Sequence, residues 1–254
     1  MTADDVNQAT ATSVIDGRGI RDLLLLGLTI SAGSVDALCF LGLGKVFSAF
    51  VTGDIAFLGF RASGASGPSV PRTLAATGAF AFGAFIAGRI VRRTPDSDSL
   101  WPRPAIVSLA AALVFQAAFL ALWASLKGHP SSGSSDVLIA LSGVAMGMQF
   151  ATTFSLGVRA DFTTAATATL AVLMGDLAGW SQTHGERRRL AATVVGLFAG
   201  ALAGGLLLAS ERTWAPAFPL VVTGAVLITA TLVFQPRQSA LRRSGGASNL
   251  VLTR

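Results

Sequence analysis

The sequence predicts an all-α membrane protein with about six transmembrane helices and two short broken or re-entrant segments, arranged as a 3+3 inverted repeat. Composition, recurrent apolar runs and a pattern shared by the two halves support this prediction. Of the 254 residues, 52% are hydrophobic and 13% are charged, and the mean hydropathy is +0.64. Soluble domains carry about 25% charged residues, so the composition indicates a protein that lies in the bilayer.

The N-terminal segment, residues 1–22, is polar and includes Asp4, Asp5 and Asp16. It has no basic stretch leading into a short apolar core, so we expect no cleavable signal peptide and assign the insertion signal to the first apolar helix. The single cysteine, Cys39, falls in that helix, so no intrachain disulfide is expected.

Six apolar runs are long enough to cross a hydrocarbon core of about 30 Å as helices, which need roughly 20 residues each. The alternating pattern of a membrane β-barrel is absent, so helices are the predicted spanning structure. Two shorter apolar segments, 46–60 and 162–180, follow the first and fourth runs. The predicted crossings are 23–43, 74–91, 105–126, 137–158, 190–209 and 218–234.

Polar linkers rich in Gly, Pro and Ser separate the runs, and such linkers are expected in water. Beyond the last run, the chain is basic and lacks apolar periodicity, so we predict a disordered tail. The predicted organisation is a polar cytoplasmic segment at 1–22, a first membrane repeat at 23–126, a second at 137–234 and a cytoplasmic tail at 235–254.

The two halves share a pattern of residues that indicates an internal duplication. Arg72-Thr-Leu-Ala-Ala-Thr77 recurs as Arg188-Arg-Leu-Ala-Ala-Thr193, and at the same spacing Ala84 matches Gly200. Each unit would hold three crossings and one short segment. Because three is odd, the second unit would lie upside down relative to the first, as in many secondary transporters.

The distribution of basic residues favours six crossings. If neither short segment crosses, about two thirds of the 19 Lys and Arg residues share the side of both termini, and this bias weakens if both segments cross. Since basic residues are enriched in cytoplasmic loops, both termini are expected in the cytoplasm. We assign the net charge of +6 to topology and to anionic lipid headgroups near the basic loops and tail, and expect no nucleic-acid partner.

Two carboxylates, Asp36 and Asp54, lie within the otherwise apolar stretch 33–60. An ionisable group in hydrocarbon is costly, so each needs a partner or a function. A Gly-Leu-Gly-Lys break separates them, and a chain reversal near Gly44 would place both at a depth of roughly 12–15 Å. The two acids are therefore predicted to lie close together inside the membrane.

The second half would supply a matching group from the opposite side. A reversal near Arg159 places Gln149 and Thr169 at a comparable depth, so the two sets would meet near the middle of a core of about 30 Å. Transporters bind their solutes at such repeat interfaces. The candidate binding residues are Asp36, Thr52, Gly53, Asp54, Gln149, Thr167 and Thr169.

Both acids also admit a structural role. Val51-Thr-Gly-Asp54 suits the tip of a broken helix, whose free N–H groups attract an anion, yet Asp54 itself can cap that helix. Asp36 can bond to Thr29 or to a neighbouring helix instead of handling solute or protons. The sequence leaves both alternatives open.

Two sets of glycines recur at four-residue spacing, Gly143 with Gly147 and Gly196 with Gly200 and Gly204. Such ridges let another helix backbone approach closely. We interpret them as packing surfaces inside the bundle, and a homodimer face is the alternative.

The sequence carries no enzyme signature that we can support. The GxSG motif at 64–67 lies in a hydrophilic loop, and both histidines, His129 and His184, also lie in loops, so no buried base is available to activate a serine. One cysteine and two loop histidines predict no metal cluster. No enzymatic activity, metal or cofactor is expected.

Four motifs together resemble the YoaK-type bacterial membrane family, a domain of unknown function. They are Gly33-Ser-Val-Asp-Ala-Leu, Val46-Phe, Val51-Thr-Gly-Asp54 and Gly147-Met-Gln149, and the resemblance runs from about Arg21 to Phe234. In the family pattern Asn usually follows the Thr-Gly pair, so Asp54 is a departure, as is Phe150. The resemblance implies an inner-membrane protein of about six helices and brings no established reaction or substrate.

Two hypotheses for function follow. The first is a small secondary transporter or permease that binds an unidentified solute or a proton at the midplane. The second is a non-transporting interaction or assembly subunit, in which the buried polar groups only fix the register of the helices.

Overall fold

A computed structural model describes residues 3–92, 100–156, 171, 174–175 and 184–251 of the chain. No strand occurs among these residues, and the helices within them are α1 (Ala3–Gly42), α2 (Val51–Ala62), α3 (Val70–Val91), α4 (Arg103–Ser125), α5 (Ser132–Ser155), α6 (His184–Ser210) and α7 (Ala217–Val251). All except α2 contain an apolar stretch long enough to cross a membrane. The predicted all-α membrane fold is confirmed.

The short helix α2 has 12 residues, which span only about 18 Å at 1.5 Å per residue. It begins inside the first predicted short segment, 46–60, and ends two residues after it. The second predicted short segment, 162–180, lies almost entirely outside the described residues. At the termini, α1 begins within the predicted polar segment and α7 continues past the predicted start of the tail at residue 235.

The chain reverses directly after α1. Gly44 has a φ of 111° and Lys45 a φ of 64°, and residues with positive φ commonly end a helix. The reversal predicted near Gly44 is confirmed, whereas its counterpart near Arg159 lies outside the described residues.

The end of α1 and the beginnings of α3 and α5 lie on one face of the bundle, here called the Arg72 face. A Cβ atom at Gly44 would lie 2.7 Å from Nη1 of Arg72, in the first turn of α3. Arg72 Nε donates to Asp136 Oδ1 at 2.8 Å, and Arg72 Nη2 donates to Ser132 Oγ at 2.8 Å. Because α1 ends and α3 begins on this same face, α2 enters and leaves the bundle without crossing it.

The Arg72 face also carries the end of α4 and the connection between α6 and α7. Trp123 Nε1 donates to the Arg212 carbonyl at 2.7 Å, and Arg212 Nε donates to the Gly128 carbonyl at 2.6 Å. These bonds satisfy polar groups where three chain segments meet at the edge of the apolar core.

The opposite face, here called the Trp101 face, holds the beginning of α4 and the end of the apolar part of α7. The rings of Trp101 and Phe234 stack with centroids 6.2 Å apart, and Arg103 Nε donates to Gln235 Oε1 at 2.8 Å. The start of the apolar part of α1 also lies at this face, because Ile20 packs against the cluster that contains Trp101 and Phe234.

The two central helices of the bundle are α1 and α5. In each, 67% of the apolar stretch is buried, whereas in α3 the buried share is 17%. α1 packs against α6 and α7, and α5 packs against α3 and α4. The outer helices expose large apolar side chains such as Phe85 and Phe198, at 63% and 68%, which suits contact with lipid.

The predicted glycine ridges lie between helices of the same chain. A Cβ at Gly147 would meet the Phe80 carbonyl, and a Cβ at Gly200 would meet the Ile30 carbonyl. Gly143 likewise faces α3, and Gly196 and Gly204 face α1. All five glycines are buried, so the ridges are occupied by packing within the bundle.

Candidate functional site

The carboxylate of Asp36 binds the backbone between α1 and α2. Its Oδ1 accepts hydrogen bonds from the N–H groups of Ser48 and Ala49 at 2.8 Å and 2.7 Å, and its Oδ2 accepts from Phe50 at 3.0 Å. These N–H groups precede α2 and would otherwise be buried without a partner, which is costly in a membrane. Asp36 therefore holds the chain in the turn that leads into α2.

Asp54 binds the same turn from its other end. Its Oδ1 accepts from the Phe47 N–H at 3.0 Å, so Asp36 and Asp54 together bind four consecutive backbone N–H groups, at residues 47–50. We call this segment the acid-held turn. Asp54 is fully buried, and its Oδ2 has no hydrogen-bond partner.

The predicted proximity of the two acids follows from this shared turn, but one predicted contact is wrong. Thr29 donates to the Leu25 carbonyl at 3.1 Å, within its own helix, and not to Asp36. The reason is geometric: the turn folds back against the last part of α1, where Asp36 lies, and leaves Thr29 nearly two helical turns away.

Aromatic rings surround the acid-held turn. The ring of Phe47 stacks on that of Phe40 with centroids 4.9 Å apart and on that of Phe57 at 6.2 Å, and it meets Phe50 edge-on at 5.5 Å. Asp54, in the first turn of α2, is fully buried beside this aromatic cluster.

Two serines and the cysteine join the turn to the central helices. The hydroxyls of Ser48 and Ser142 share a hydrogen bond of 2.7 Å, and the Cys39 thiol lies 3.1 Å and 3.4 Å from these two oxygens. All three side chains are buried. The sequence did not point to either serine, because a single serine in an apolar helix is common and only its partner across the bundle distinguishes it.

A cavity of about 30 Å³ lies between α1, α3, α5 and the acid-held turn. Such a volume holds one or two water molecules, since one water needs roughly 10–15 Å³ by the same measure. Among the described residues, those that line it are all uncharged. Its polar lining comes from Thr29, Gln149 and Thr153, and its apolar lining from Leu25, Leu28, Ala32, Ala49, Phe80, Met146 and Phe150.

Gln149 is the polar residue of this cavity with spare hydrogen-bonding capacity. Its Nε2 donates to the Leu28 carbonyl at 3.0 Å, whereas its Oε1 is buried without a partner. Ala49 lines the same cavity, and its N–H is one of those bound by Asp36. Asp36 is thus separated from the Gln149 cavity by a single residue of the turn.

The other predicted site residues are distributed differently. The side chain of Thr52 is exposed, and Gly53 packs against Phe50, with 2.9 Å between an added Cβ and the ring. Neither lines the cavity. Thr167 and Thr169 lie outside the described residues. Of the predicted set, the structure brings together Asp36 and Asp54 on one turn. Gln149 bonds to Leu28, about 12 Å earlier along α1, and lines a cavity that the turn borders at Ala49.

Within the described part of the chain, no group of three His, Cys, Asp or Glu residues is arranged to hold a metal ion. The described side chains of the site offer amide, hydroxyl, thiol and carboxylate groups for hydrogen bonding.

Comparison with known proteins gives a family match over most of the chain. The model of the family described as "Protein of unknown function (DUF1275)" matches residues 24–229. Over 159 residues the chain is 33% identical to the UPF0700 transmembrane protein YoaK of Bacillus subtilis (strain 168). The aligned region covers 63% of this chain and 68% of that protein. No solved structure matches the chain.

Proposed function

The chain belongs to the DUF1275 family, which confirms its resemblance to YoaK-type proteins, and from this premise we propose that it is a small permease for an uncharged, hydrogen-bonding solute. The observation that carries the proposal is the buried, unpartnered Gln149 Oε1, whose side chain lines a small cavity between α1, α3 and α5. A buried acceptor without a donor is costly, and a solute that donates a hydrogen bond would remove that cost. The described residues that line the cavity are all uncharged, which favours a neutral solute over an ion.

The volume of the cavity limits what it holds in this conformation. At about 30 Å³ it accommodates one or two waters, so a larger solute requires the surrounding helices to separate. The acid-held turn lines the cavity through Ala49, and α3 lines it through Phe80.

The proposal includes an inverted repeat, which the pairing of helices supports. In the first unit Gly33 of α1 packs against Leu197 and Ala201 of α6, and in the second unit Gly147 of α5 packs against Phe80 and Ala84 of α3. The partner residues are spaced four apart in both cases. α1 and α5 run in opposite directions between the two faces, as inverted repeats require.

The reciprocal contacts agree with this pairing. Gly83 of α3 packs against the backbone of Val144 in α5, and Gly200 of α6 packs against that of Ile30 in α1. By these contacts Gly83 in the first unit is equivalent to Gly200 in the second. The sequence alignment instead matches Ala84 with Gly200, one residue away. A one-residue offset is readily missed in stretches composed mainly of Ala and Gly.

We place the protein in the inner membrane with the Trp101 face in the cytoplasm. The support is the excess of basic residues at that face, which carries Arg18, Arg21, Arg89, Arg92, Arg103, Arg188 and Arg189. Single cysteines in a Cys39→Ser background test this orientation. In intact cells, an impermeant maleimide should label Ser131→Cys, on the Arg72 face, and should label Arg92→Cys only after lysis. The reverse pattern would contradict the orientation.

Transport is tested by osmotic swelling of proteoliposomes. Purified protein is reconstituted, and vesicles are mixed with hyperosmotic urea, glycerol or erythritol, so that re-swelling reports solute entry. We expect re-swelling with the wild type to exceed that of empty liposomes for at least one solute, and Gln149→Leu to slow it about tenfold through loss of a hydrogen bond. Thr231→Val, on an exposed position of α7, is the control and should match the wild type. Equal rates for wild-type vesicles and empty liposomes with every solute would count against a permease for such solutes.

One observation favours the alternative, a non-transporting interaction or assembly subunit. The Asp36 carboxylate has a complete set of backbone partners, so it has a sufficient structural role without any solute. The two proposals differ at Gln149, whose spare acceptor has no structural use in the subunit.

A further inference from the structure

A second cavity, of about 10 Å³, lies between α1, α4, α5 and the beginning of α7. Gln116 of α4 lines it and is only 6% exposed, yet neither Oε1 nor Nε2 of its amide has a hydrogen-bond partner. The amide thus has donors and an acceptor to spare next to a space of about one water molecule. The other lining residues are Val35, Leu38, Phe119, Ser142, Ala145, Met146, Pro216 and Pro219.

The second cavity is connected to the acid-held turn by hydrogen bonds. Ser142 lines the cavity and donates to the Ile139 carbonyl at 3.0 Å, and its oxygen also shares the 2.7 Å hydrogen bond with Ser48. Ser48 in turn belongs to the turn that Asp36 binds. A molecule beside Gln116 and Ser142 would therefore contact the same polar network that borders the Gln149 cavity.

Met146 separates the two cavities, because its side chain lines both of them. Along α1 the first cavity extends to Ala32 and the second begins at Val35, a rise of about 4.5 Å. Methionine has three rotatable side-chain bonds and adapts readily to new packing. A change of the Met146 rotamer is the smallest movement that would join the cavities.

We infer that Gln116 and Ser142 form a second binding station for the small, uncharged, hydrogen-bonding solute, which reaches it from the Gln149 cavity past Met146. The inference rests on the proposed permease function, since it makes the two cavities successive positions on one path. The amide supplies both donors and an acceptor, so the station suits molecules that both donate and accept. Its space of about 10 Å³ holds one water molecule, and a small amide or polyol enters only where the helices separate.

The test measures water access to Gln116, independently of transport. Gln116→Cys in a Cys39→Ser background is reconstituted and treated with 2-aminoethyl methanethiosulfonate, and intact-protein mass spectrometry gives the rate of modification. The matched control is Ala112→Cys, one turn earlier on α4, which is fully buried and lines neither cavity. We expect position 116 to react about tenfold faster than position 112, because only position 116 contacts a hydrated space.

The same assay tests the role of Met146. Met146→Ala, which removes the partition, should raise the modification rate at position 116 about tenfold by populating the joined state. Met146→Leu, of similar volume, should leave the rate unchanged. If Gln116→Cys does not elute as a folded protein in detergent, Ala145→Cys, which lines the same cavity, takes its place.

The outcomes separate this inference from the permease proposal. The second station would be overturned, and the permease left intact, by two results together. Positions 116 and 112 would be modified at equal rates with either Met or Ala at position 146, and wild-type vesicles would still show solute-dependent swelling. Rapid modification at 116 without swelling for any solute would overturn the permease, and with it the role of Gln116 as a station. Swelling slowed about tenfold by Gln116→Leu would support both.

Discussion

The two central helices each bury a polar side chain near the acid-held turn, but the two groups differ in how fully they are bonded. Asp36 of α1 is 7% exposed and both of its oxygens accept backbone hydrogen bonds. Gln149 of α5 is 5% exposed, and one of its two polar atoms has no partner. Equal burial therefore accompanies different roles: the bonded acid shapes the backbone, and the partly bonded amide faces a cavity.

The contrast between the fully bonded Asp36 and the partly bonded Gln149 indicates how polar groups inside a membrane should be interpreted. Burial of an ionisable residue in hydrocarbon is costly. For Asp36 that cost is offset by hydrogen bonds from the three backbone N–H groups of residues 48–50. The amide is less costly to bury, but its unmatched oxygen needs a donor from elsewhere. In this bundle, whether a buried polar atom has a hydrogen-bond partner distinguishes structural from binding groups better than whether it is charged.

The largest effect is expected from Asp36→Ala. It leaves three buried N–H groups without an acceptor, at about 1–3 kcal/mol each, so the folded state should lose at least about 3 kcal/mol. Thermal unfolding in detergent, followed by size-exclusion chromatography, measures the loss. The control is Asp22→Ala, whose carboxylate pairs with the adjacent Arg21 at a partly exposed site and should change stability little. Unchanged unfolding of Asp36→Ala with lost solute flux would make Asp36 a functional group and remove the contrast with Gln149.

The next effect compares the two central helices directly. Gly33→Ala and Gly147→Ala each place a Cβ on the backbone of a neighbouring helix, and overpacking of this kind costs about 1–3 kcal/mol. If α1 and α5 are equivalent members of an inverted repeat, the two variants should lower the unfolding temperature similarly. Gly224→Ala, with no atom within 4 Å of the added Cβ, is the control. A large effect at only one of the two positions would argue against the equivalence.

A smaller effect on stability is expected from Gln149→Leu. The variant removes one hydrogen bond to the Leu28 carbonyl and also removes an unpartnered oxygen, so the free energy of unfolding should change by no more than about 1 kcal/mol in either direction. Circular dichroism and thermal unfolding give this value on the same samples used for solute swelling. A loss of stability as large as that of Asp36→Ala would show that Gln149 is a structural residue.

The smallest effect on folding is expected from Asp54→Asn. The amide oxygen can still accept from the Phe47 N–H, and the amide nitrogen takes the place of Oδ2, which has no partner to lose. Stability should change by less than about 1 kcal/mol. If Asp54 carries a proton during transport, solute flux should depend on pH in the wild type and lose that dependence in the variant. Identical pH profiles would exclude this role.

Much of the fold could be predicted from the sequence because its determinants are local. A run of about 20 apolar residues predicts a crossing helix. The Gly-Leu-Gly-Lys break after α1 marks a reversal because Gly44 tolerates the positive φ that it adopts. The proximity of Asp36 and Asp54 followed from their similar distances to that reversal. The six apolar helices of the described residues and the nearness of the two acids could be predicted without knowledge of tertiary contacts.

Sequence alone predicts an all-α membrane protein of about six crossings with two acids inside an apolar stretch, whereas the packing of the helices determines what those acids bind. Backbone N–H groups at 48–50 become the partners of Asp36 only because the turn packs on α1, and Gln116, which no motif marks, is notable only because no donor or acceptor reaches it. Hydrophobicity is a property of single residues and their spacing, whereas hydrogen-bond satisfaction depends on atoms that are distant in sequence. For that reason the helices can be predicted from the sequence, and the binding groups emerge only once the helices are packed.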